Sequence, residues 1–309
     1  MNKLLLTYFT PTYNREKLLP KLYESLLSQT NKNFIWLIID DGSKDNTESL
    51  INKWKSEQKI NIEYIKKENG GKHTAIDLSN QLCTTEYISC IDSDDYITPN
   101  CTEVLYDCFD ELSKNTSAVG LVGRRDLIGF EDHKITAWPQ NKSFLYFHEL
   151  SEKYNFNYDT ILVFKTSIIK QYSFPVFADE RFVTECVFYN KFMFDYTLMA
   201  IEDYVYIGEY QPDGYTSMGM NLFLKNPKGY LCFLKQAVWL AITRKLSFKQ
   251  KLKKTMQYYG WKKILKQKQN FMPEYKIPCF YKIVGTLLSP ISKIILTKKH
   301  NLKKTMHNA

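Results

Sequence analysis

The chain has 309 residues, 44% hydrophobic and 24% charged, which excludes a disordered or collagen-like chain and fits one large or two small globular domains. Its net charge of +9 is unevenly placed: residues 225–309 hold 20 Lys and Arg against the single acid Glu274, whereas residues 1–224 hold 22 basic and 32 acidic residues. An acidic front joined to a strongly basic tail argues against a whole surface that grips nucleic acid and directs the tail to something anionic, RNA, DNA or a lipid surface. The seven cysteines are scattered without a CxxC pair, so neither a disulfide framework nor a zinc site is indicated, and a reducing cytosol is the simpler setting. The apolar run in Met1 to Thr10 is too short for the core of a secretion signal. No uninterrupted apolar run reaches the ~18 residues of a spanning helix.

Taken in order, Leu4 to Thr10 and Phe34 to Ile39 read as buried strands, stopped by Pro11 and by Asp40-Asp41-Gly42. Between them Arg15 to Gln29 places Leu18, Leu19, Leu22, Leu26 and Leu27 on one helical face, with Asn14 as N-cap. Asp45 and Glu48 have capping-box spacing before a helix to about Glu57. Ile60 to Ile65 reads as a strand, Thr74 to Leu82 as a helix, Tyr87 to Ile91 as a strand, and Thr98-Pro99 as the start of a helix to about Leu112. This alternation implies an α/β fold with a mostly parallel sheet covered on both faces. Ala118 to Val122, Ile161 to Phe164 and Tyr204 to Tyr210 read as further strands and Val183 to Phe194 as a helix. From Leu222 the chain becomes helical and basic, with Pro273, Pro278 and Pro290 as breaks.

In such sheets ligands bind beyond the carboxyl ends of the strands, where the polar clusters fall. Asp92-Ser93-Asp94-Asp95 crowds three carboxylates into four residues, an arrangement that a divalent cation neutralises and that can also serve as a solvated acidic cap for the following helix. Convergence of all the clusters on one edge favours the cation. Asp40-Asp41-Gly42-Ser43 offers a carboxylate for a base or a ribose, or an ordinary turn. In Asn69-Gly70-Gly71-Lys72-His73 the spacing excludes a Walker loop, since Lys66 and His73 stand where Gly and Ser or Thr are needed; the glycines still permit close backbone approach and Lys72 can reach a diphosphate, and a plain strand-to-helix turn is the alternative.

Thr10-Pro11-Thr12-Tyr13-Asn14-Arg15, Ile39-Asp40-Asp41-Gly42-Ser43-Lys44-Asp45, Glu68-Asn69-Gly70-Gly71-Lys72 and Ile91-Asp92-Ser93-Asp94-Asp95, in this order and spacing, resemble the family 2 glycosyltransferases of the GT-A fold. The resemblance covers residues 3 to about 105, and more loosely to about 217. It implies inverting transfer of a sugar from a nucleotide diphosphate donor, usually UDP-linked, with Mn²⁺ or Mg²⁺. It also implies that Pro11, Thr12 and Tyr13 border the nucleoside and that Asp41 bonds the uracil. Asp92, beside Ser93, would contact ribose or metal, and Asp94 would ligate the metal in the manner of a DXD motif. One departure stands out: Ala75-Ile76-Asp77 replaces the Ala-Arg-Asn of many members, so the contact of that Arg must come from elsewhere, such as Lys72.

The general base of an inverting transfer is suited to a carboxylate. Arg181-Phe182-Val183-Thr184-Glu185 resembles the family segment that carries it, which makes Glu185 the candidate, with Asp179 and Glu180 as neighbours and a first-turn helix carboxylate as the plainer reading. Tyr210 to Thr216 resembles a loop near the acceptor and also reads as an ordinary turn. Gln236-Ala237-Val238-Trp239 lacks the Arg of the processive synthases' Gln-x-x-Arg-Trp box, which favours addition of a single sugar.

The resulting division is residues 1–115 for the nucleotide sugar, 116–221 for the acceptor and 222–309 as a basic helical, membrane-associating region. In the last of these, Phe280 to Leu296 is apolar but carries Lys282 and Lys293, reading as too short and charged to span and suited to the headgroup region. A soluble helical subdomain or a nucleic-acid tail are the alternatives for this part. The expectation is a cytoplasmic enzyme, peripheral on the inner face of the membrane, that uses a UDP-sugar and a lipid-linked or oligosaccharide acceptor without nucleic acid. A non-catalytic nucleotide-sugar or polyanion binder, or a transferase acting on protein or teichoic acid, are the alternative readings of the whole chain.

Overall fold

In the computed structural model, which describes residues 4–128, 137–156, 159–209, 211 and 218–307, the leading apolar runs become β1 (Leu6–Thr12) and β2 (Phe34–Asp40), buried at every residue. Strands covered on both faces need apolar side chains in both directions, which is why these runs are continuous and not alternating. They are followed by α1 (Leu19–Leu27) after β1, and by α2 (Thr47–Glu57), β3 (Asn61–Lys66), α3 (Lys72–Leu82) and β4 (Tyr87–Cys90) after β2. The order β3-β2-β1-β4 is parallel throughout, with Leu6 opposite both Phe34 and Tyr87. All four strands therefore deliver their carboxyl ends to one edge.

Beyond β4 lie β5 (Tyr96–Ile97), α4 (Cys101–Lys114), β6 (Ala118–Ile128), β7 (Phe144–Leu145), α5 (Phe147–Lys153), β8 (Thr160–Lys165), α6 (Thr166–Ile169) and β9 (Thr197–Glu209). β8 is antiparallel to both β4 and β6, and β9 is parallel to β6, so one mixed, mostly parallel sheet continues as β4-β8-β6-β9-β5. Aromatic stacking fills the core beside β2: the Tyr23 ring lies 4.2 Å from Trp54 and 6.0 Å from Trp36. Where β6 crosses β8, a Cβ on Gly120 would stand 1.8 Å from the Val163 carbonyl oxygen, so only glycine fits.

The sheet belongs to a unit made of Met1–Phe174 and Lys191–Gly214; Pro175–Asn190 and Tyr215–Ala309 form a second, helical unit. The latter contains α7 (Cys186–Tyr189), α8 (Met220–Lys225), α9 (Pro227–Thr243), α10 (Phe248–Ile264) and α11 (Cys279–His307). Its amino-terminal segment is tied to α9 by polar contacts. The buried Glu180 carboxylate accepts the Lys228 and Gly229 N–H groups at 2.7 and 2.8 Å, capping the first turn, while Asn226 Oδ1 accepts from Arg181 and Phe182. Lys235, also buried, gives its ammonium to Asn270 Oδ1 and to the Phe271 and Met272 carbonyls.

Several local expectations are corrected. Asn14 does not cap α1, whose N-cap is Leu18; at φ 53° it turns back, and its Oδ1 accepts the Lys44 N–H. The N-cap of α2 is Asn46, because the Asp45 carboxylate is used on the Glu16 and Thr47 N–H groups. Asn100, not Thr98, is the N-cap of α4. Of the helix expected over Val183 to Phe194 only α7 forms: the apolar period is divided between units, Phe188 before the chain changes unit and Phe192 after it, against Phe164 and Tyr172. Pro290 does not break the tail. It lies inside the 29-residue α11, and the Thr286 carbonyl that a proline nitrogen leaves unpaired takes the Ser289 hydroxyl at 2.8 Å. The uninterrupted helix thereby exceeds the expected length: Cys279–Lys299, with mean hydropathy 1.4, is long and apolar enough to cross a membrane.

In α3, Asp77 accepts the Phe174 N–H at 3.0 Å. Burial pushes its carboxyl up to about 6, against the opposing effects of that N–H and of Lys191. A raised carboxyl pKa means that ionisation opposes folding, so this contribution is favourable below pH ~4 and is lost as pH rises towards 6. Asp77→Asn, which keeps a carbonyl acceptor, is expected to gain on the wild type by about 1–2 kcal/mol between pH 4 and 7 after allowance for solvent screening, read from paired thermal melts.

Candidate active site

The edge formed by β1 to β4 carries three turns that hold one another. After β2, Asp40 closes its own turn: Oδ1 accepts the Ser43 N–H at 2.7 Å and Oδ2 accepts the Tyr64 hydroxyl at 2.7 Å. The Ser43 Oγ in turn accepts the Asn14 N–H, which stitches the segment after β1 to the segment after β2. Asp41 faces the third turn. Its carboxylate accepts the Gly70 and Gly71 N–H groups at 2.9 and 2.7 Å and the Lys67 ammonium at 2.5 Å. Gly71, at φ 91°, is the conformation that leads from this loop into α3.

Lys72 opens α3 and sets its ammonium 2.8 and 2.9 Å from the two oxygens of Asp92. Asp92, Asp94 and Asp95 each offer an oxygen, all within 4.8 Å of one another, a spread that one hard divalent cation can gather. Burial opposes ionisation of Asp92, but Lys72, with help from Arg125 and the Cys90 thiol, holds the carboxyl below its usual range. Burial and the Asp92 charge push Asp94 and Asp95 up, as expected where carboxylates share a site.

Asp95 is held by strands further along the sheet. Arg125 Nη2 lies 3.0 Å from each of its oxygens, and the Tyr206 hydroxyl donates to Oδ2 at 2.6 Å while accepting the Asp92 N–H at 3.2 Å. The pairing of β6 with β9 slips between Gly123 and Arg124 and again between Arg124 and Arg125, irregularities that re-aim side chains, so consecutive arginines oppose Tyr204 and Tyr206. Arg124 stacks on Tyr204 at 3.9 Å, and Arg125 turns to Asp95. Gly208 leaves room for this: a Cβ there would be 2.0 Å from Arg125 Nη2.

The residues singled out from the sequence are distributed as follows. Pro11 and Thr12 end β1, and Tyr13 is exposed just beyond. Thr12 Oγ1, in the last residue of β1, is buried with no hydrogen-bond partner among the described residues. Asp41, Lys72, Asp92, Ser93 and Asp94 belong to the same edge, with Ser93 buried between its acidic neighbours. Glu185 is in the other unit, half-buried at the residue before α7. Of its neighbours, Glu180 is committed to capping α9 and Asp179 pairs with Lys228. The loop Tyr210 to Thr216 falls outside the described residues except for Gln211. Sequence reasoning missed Lys67, Arg125 and Tyr206 as partners of the acidic groups; the one local sign was the Arg124-Arg125 pair at the end of an otherwise apolar run.

Residues 7–173 match the family described as Glycosyl transferase family 2. The chain belongs to that family. Among its relatives, this family 2 chain is 40% identical over 103 residues to a glycosyltransferase of Mycoplasma pneumoniae, a match covering 32% of this chain and 34% of the relative. It is 29% identical over 161 residues to the glycosyltransferase GlyA of Streptococcus pneumoniae, covering 52% of this chain and 21% of GlyA. The matches thus span 21 to 34% of those relatives' length. In fold, the family 2 chain resembles S. aureus TarS 1-349, solved in complex with UDP-GlcNAc, with a TM-score of 0.55 at 18% identity over 83% of this chain and 81% of that one. It also resembles the mannosyltransferase PcManGT of Pyrobaculum calidifontis, solved with GDP-Man and Mn²⁺, with a TM-score of 0.52 at 14% identity over 98% and 81%. These likenesses establish a GT-A-like fold.

Tyr206→Phe removes both the donor to Asp95 and the acceptor for the Asp92 N–H. A loss of about 1–3 kcal/mol in unfolding free energy is expected, measured by denaturant titration against Tyr204→Phe, which removes only the exposed hydroxyl that accepts from Arg124.

Proposed function

We propose that this chain is an inverting glycosyltransferase that moves one sugar from a UDP-linked donor to a saccharide acceptor carried on a lipid, during assembly of a bacterial surface polysaccharide. The observation that carries this reading is the single edge on which the acidic turn, the glycine loop held by Asp41 and the unsatisfied Thr12 hydroxyl converge. Pro11, Thr12, Tyr13 and Asp41 are assigned to the nucleoside, and Lys72, Asp92 and Ser93 to the ribose and diphosphate. The carboxylates fit a hard cation by donor type and spread. Asp94 and Asp92 would hold Mn²⁺ or Mg²⁺, which when bound neutralises charge on the departing UDP.

Glu185 is assigned as the base on the resemblance of Arg181 to Glu185 to the family segment. It takes the proton of the acceptor hydroxyl as that oxygen bonds to the anomeric carbon, whose bond to the diphosphate breaks on the opposite face. The reaction is placed at the inner face of the cell membrane, a setting supported by the basic tail.

A panel of nucleotide sugars screened for Mn²⁺-dependent hydrolysis and transfer tests the reading. UDP-sugars are expected to turn over, and donor binding without any turnover would leave a nucleotide-sugar binding protein. Asp94→Ala should abolish metal-dependent UDP binding in calorimetry. Glu185→Gln should retain that binding and lose transfer by about 10²–10⁴-fold, the usual contribution of a positioned general base.

A further inference from the structure

We propose that α11 lies in the plane of an anionic bilayer surface without crossing it, with Phe280, Ile283, Leu287, Ile291 and Ile294 set into the acyl boundary; this rests on the membrane-bound reading above and names the contact face. Those five side chains are 55, 55, 71, 53 and 57% exposed, and their spacing of three, four, four and three residues puts them on a single helical stripe. Phe248, 60% exposed at the start of α10, packs against Phe280 and lengthens the patch. So large a contiguous apolar face on a water-exposed helix marks a contact surface.

The opposite face of α11 is already committed. A Cβ on Gly260 would stand 2.2 Å from Ser292 Oγ, and one on Gly285 would stand 2.3 Å from the Tyr259 ring, so α10 and α11 touch backbone to side chain. Ser292 Oγ also donates to the Met256 carbonyl at 2.5 Å. To cross a bilayer, α11 would have to abandon this seam or draw α10 into the hydrocarbon with it. α10 carries Lys249, Lys251, Lys253, Lys254, Lys262 and Lys263 and no acid, and ammonium groups at the bilayer centre are strongly disfavoured. A helix with one packed face, one apolar stripe and basic flanks fits the headgroup boundary.

Charge selects the occupant. α11 holds six lysines and no acidic residue, with Lys282 and Lys293 exposed beside the stripe. A second copy placed on the stripe would bring two acid-free basic helices together, whereas anionic lipid headgroups complement them.

The test uses the full chain with vesicles of phosphatidylglycerol mixed with phosphatidylcholine, and of phosphatidylcholine alone. Co-sedimentation with the anionic vesicles is expected, weakened by salt, and alkaline carbonate should strip the chain from membranes of expressing cells. Leu287→Glu with Ile291→Glu should weaken vesicle partition by at least about tenfold, given the apolar area withdrawn. The milder pair Leu287→Gln with Ile294→Gln serves if the first does not fold. Retention in carbonate would mean a spanning helix and overturn the proposal. So would a monomer indifferent to anionic vesicles, or a dimer in light scattering that these substitutions dissolve. Hydrolysis of UDP-sugar by the unbound variant is a separate readout: its absence in every form would remove the enzyme reading while leaving vesicle binding intact.

Discussion

Three carboxylates on one short turn repel one another, and this edge depends on cations that offset the repulsion, among them Lys72 from the start of α3 and Arg125 from a strand further along the sheet. A buried ion pair is a weak source of net stability, because desolvation offsets much of the attraction; removal of one partner is what destabilises strongly. The Arg125 to Asp95 pair is therefore better understood as a constraint on position. It occupies the Asp95 carboxylate, while Lys72 engages Asp92. Tyr206 extends the constraint to the backbone, since the same oxygen that donates to Asp95 accepts the N–H of Asp92.

The second turn follows similar logic with opposite sign. Asp41 is one acceptor facing two glycine amides and one ammonium, and those donors define the path of residues 67–71 into α3. A carboxylate so fully engaged organises the loop before it meets any ligand. A nucleobase assigned to Asp41 must share it with, or displace, one of these donors, so the affinity for donor includes the free energy of that exchange.

Much of the sheet was legible because its signal is local. β1 and β2 are largely apolar and buried at every residue, and β2 ends at Asp-Asp-Gly; β1, expected to stop at Pro11, runs through it to Thr12, because a parallel pairing with β2 continues there. The acidic turn and the glycine loop were legible for the same reason. What was not legible depends on distance or on competition. Arg125 and Tyr206 meet Asp95 across 30 and 111 residues, through a doubly irregular strand pairing that has no signature in composition. Asn14 and Asp45 are good cap residues drawn into contacts between turns, which satisfy the same oxygens as a cap would. Pro290 reads as a helix break only if the carbonyl it leaves behind stays unsatisfied, and Ser289 supplies the missing donor.

The segment Pro175–Asn190 belongs to the helical unit although sheet-forming chain both precedes and follows it. Its Glu180 caps α9, and its Val187 carbonyl accepts from the buried Gln236 of the same helix. Neither unit is thus a continuous stretch of gene. A single recombination point near residue 221 would carry α9 to α11 away without the residues that satisfy them, and would leave a buried glutamate with no amides to accept. The two units are interleaved along the sequence, so exchange of the tail between relatives requires the insert at 175–190 to travel with it, and the basic helices and the assigned base are inherited together.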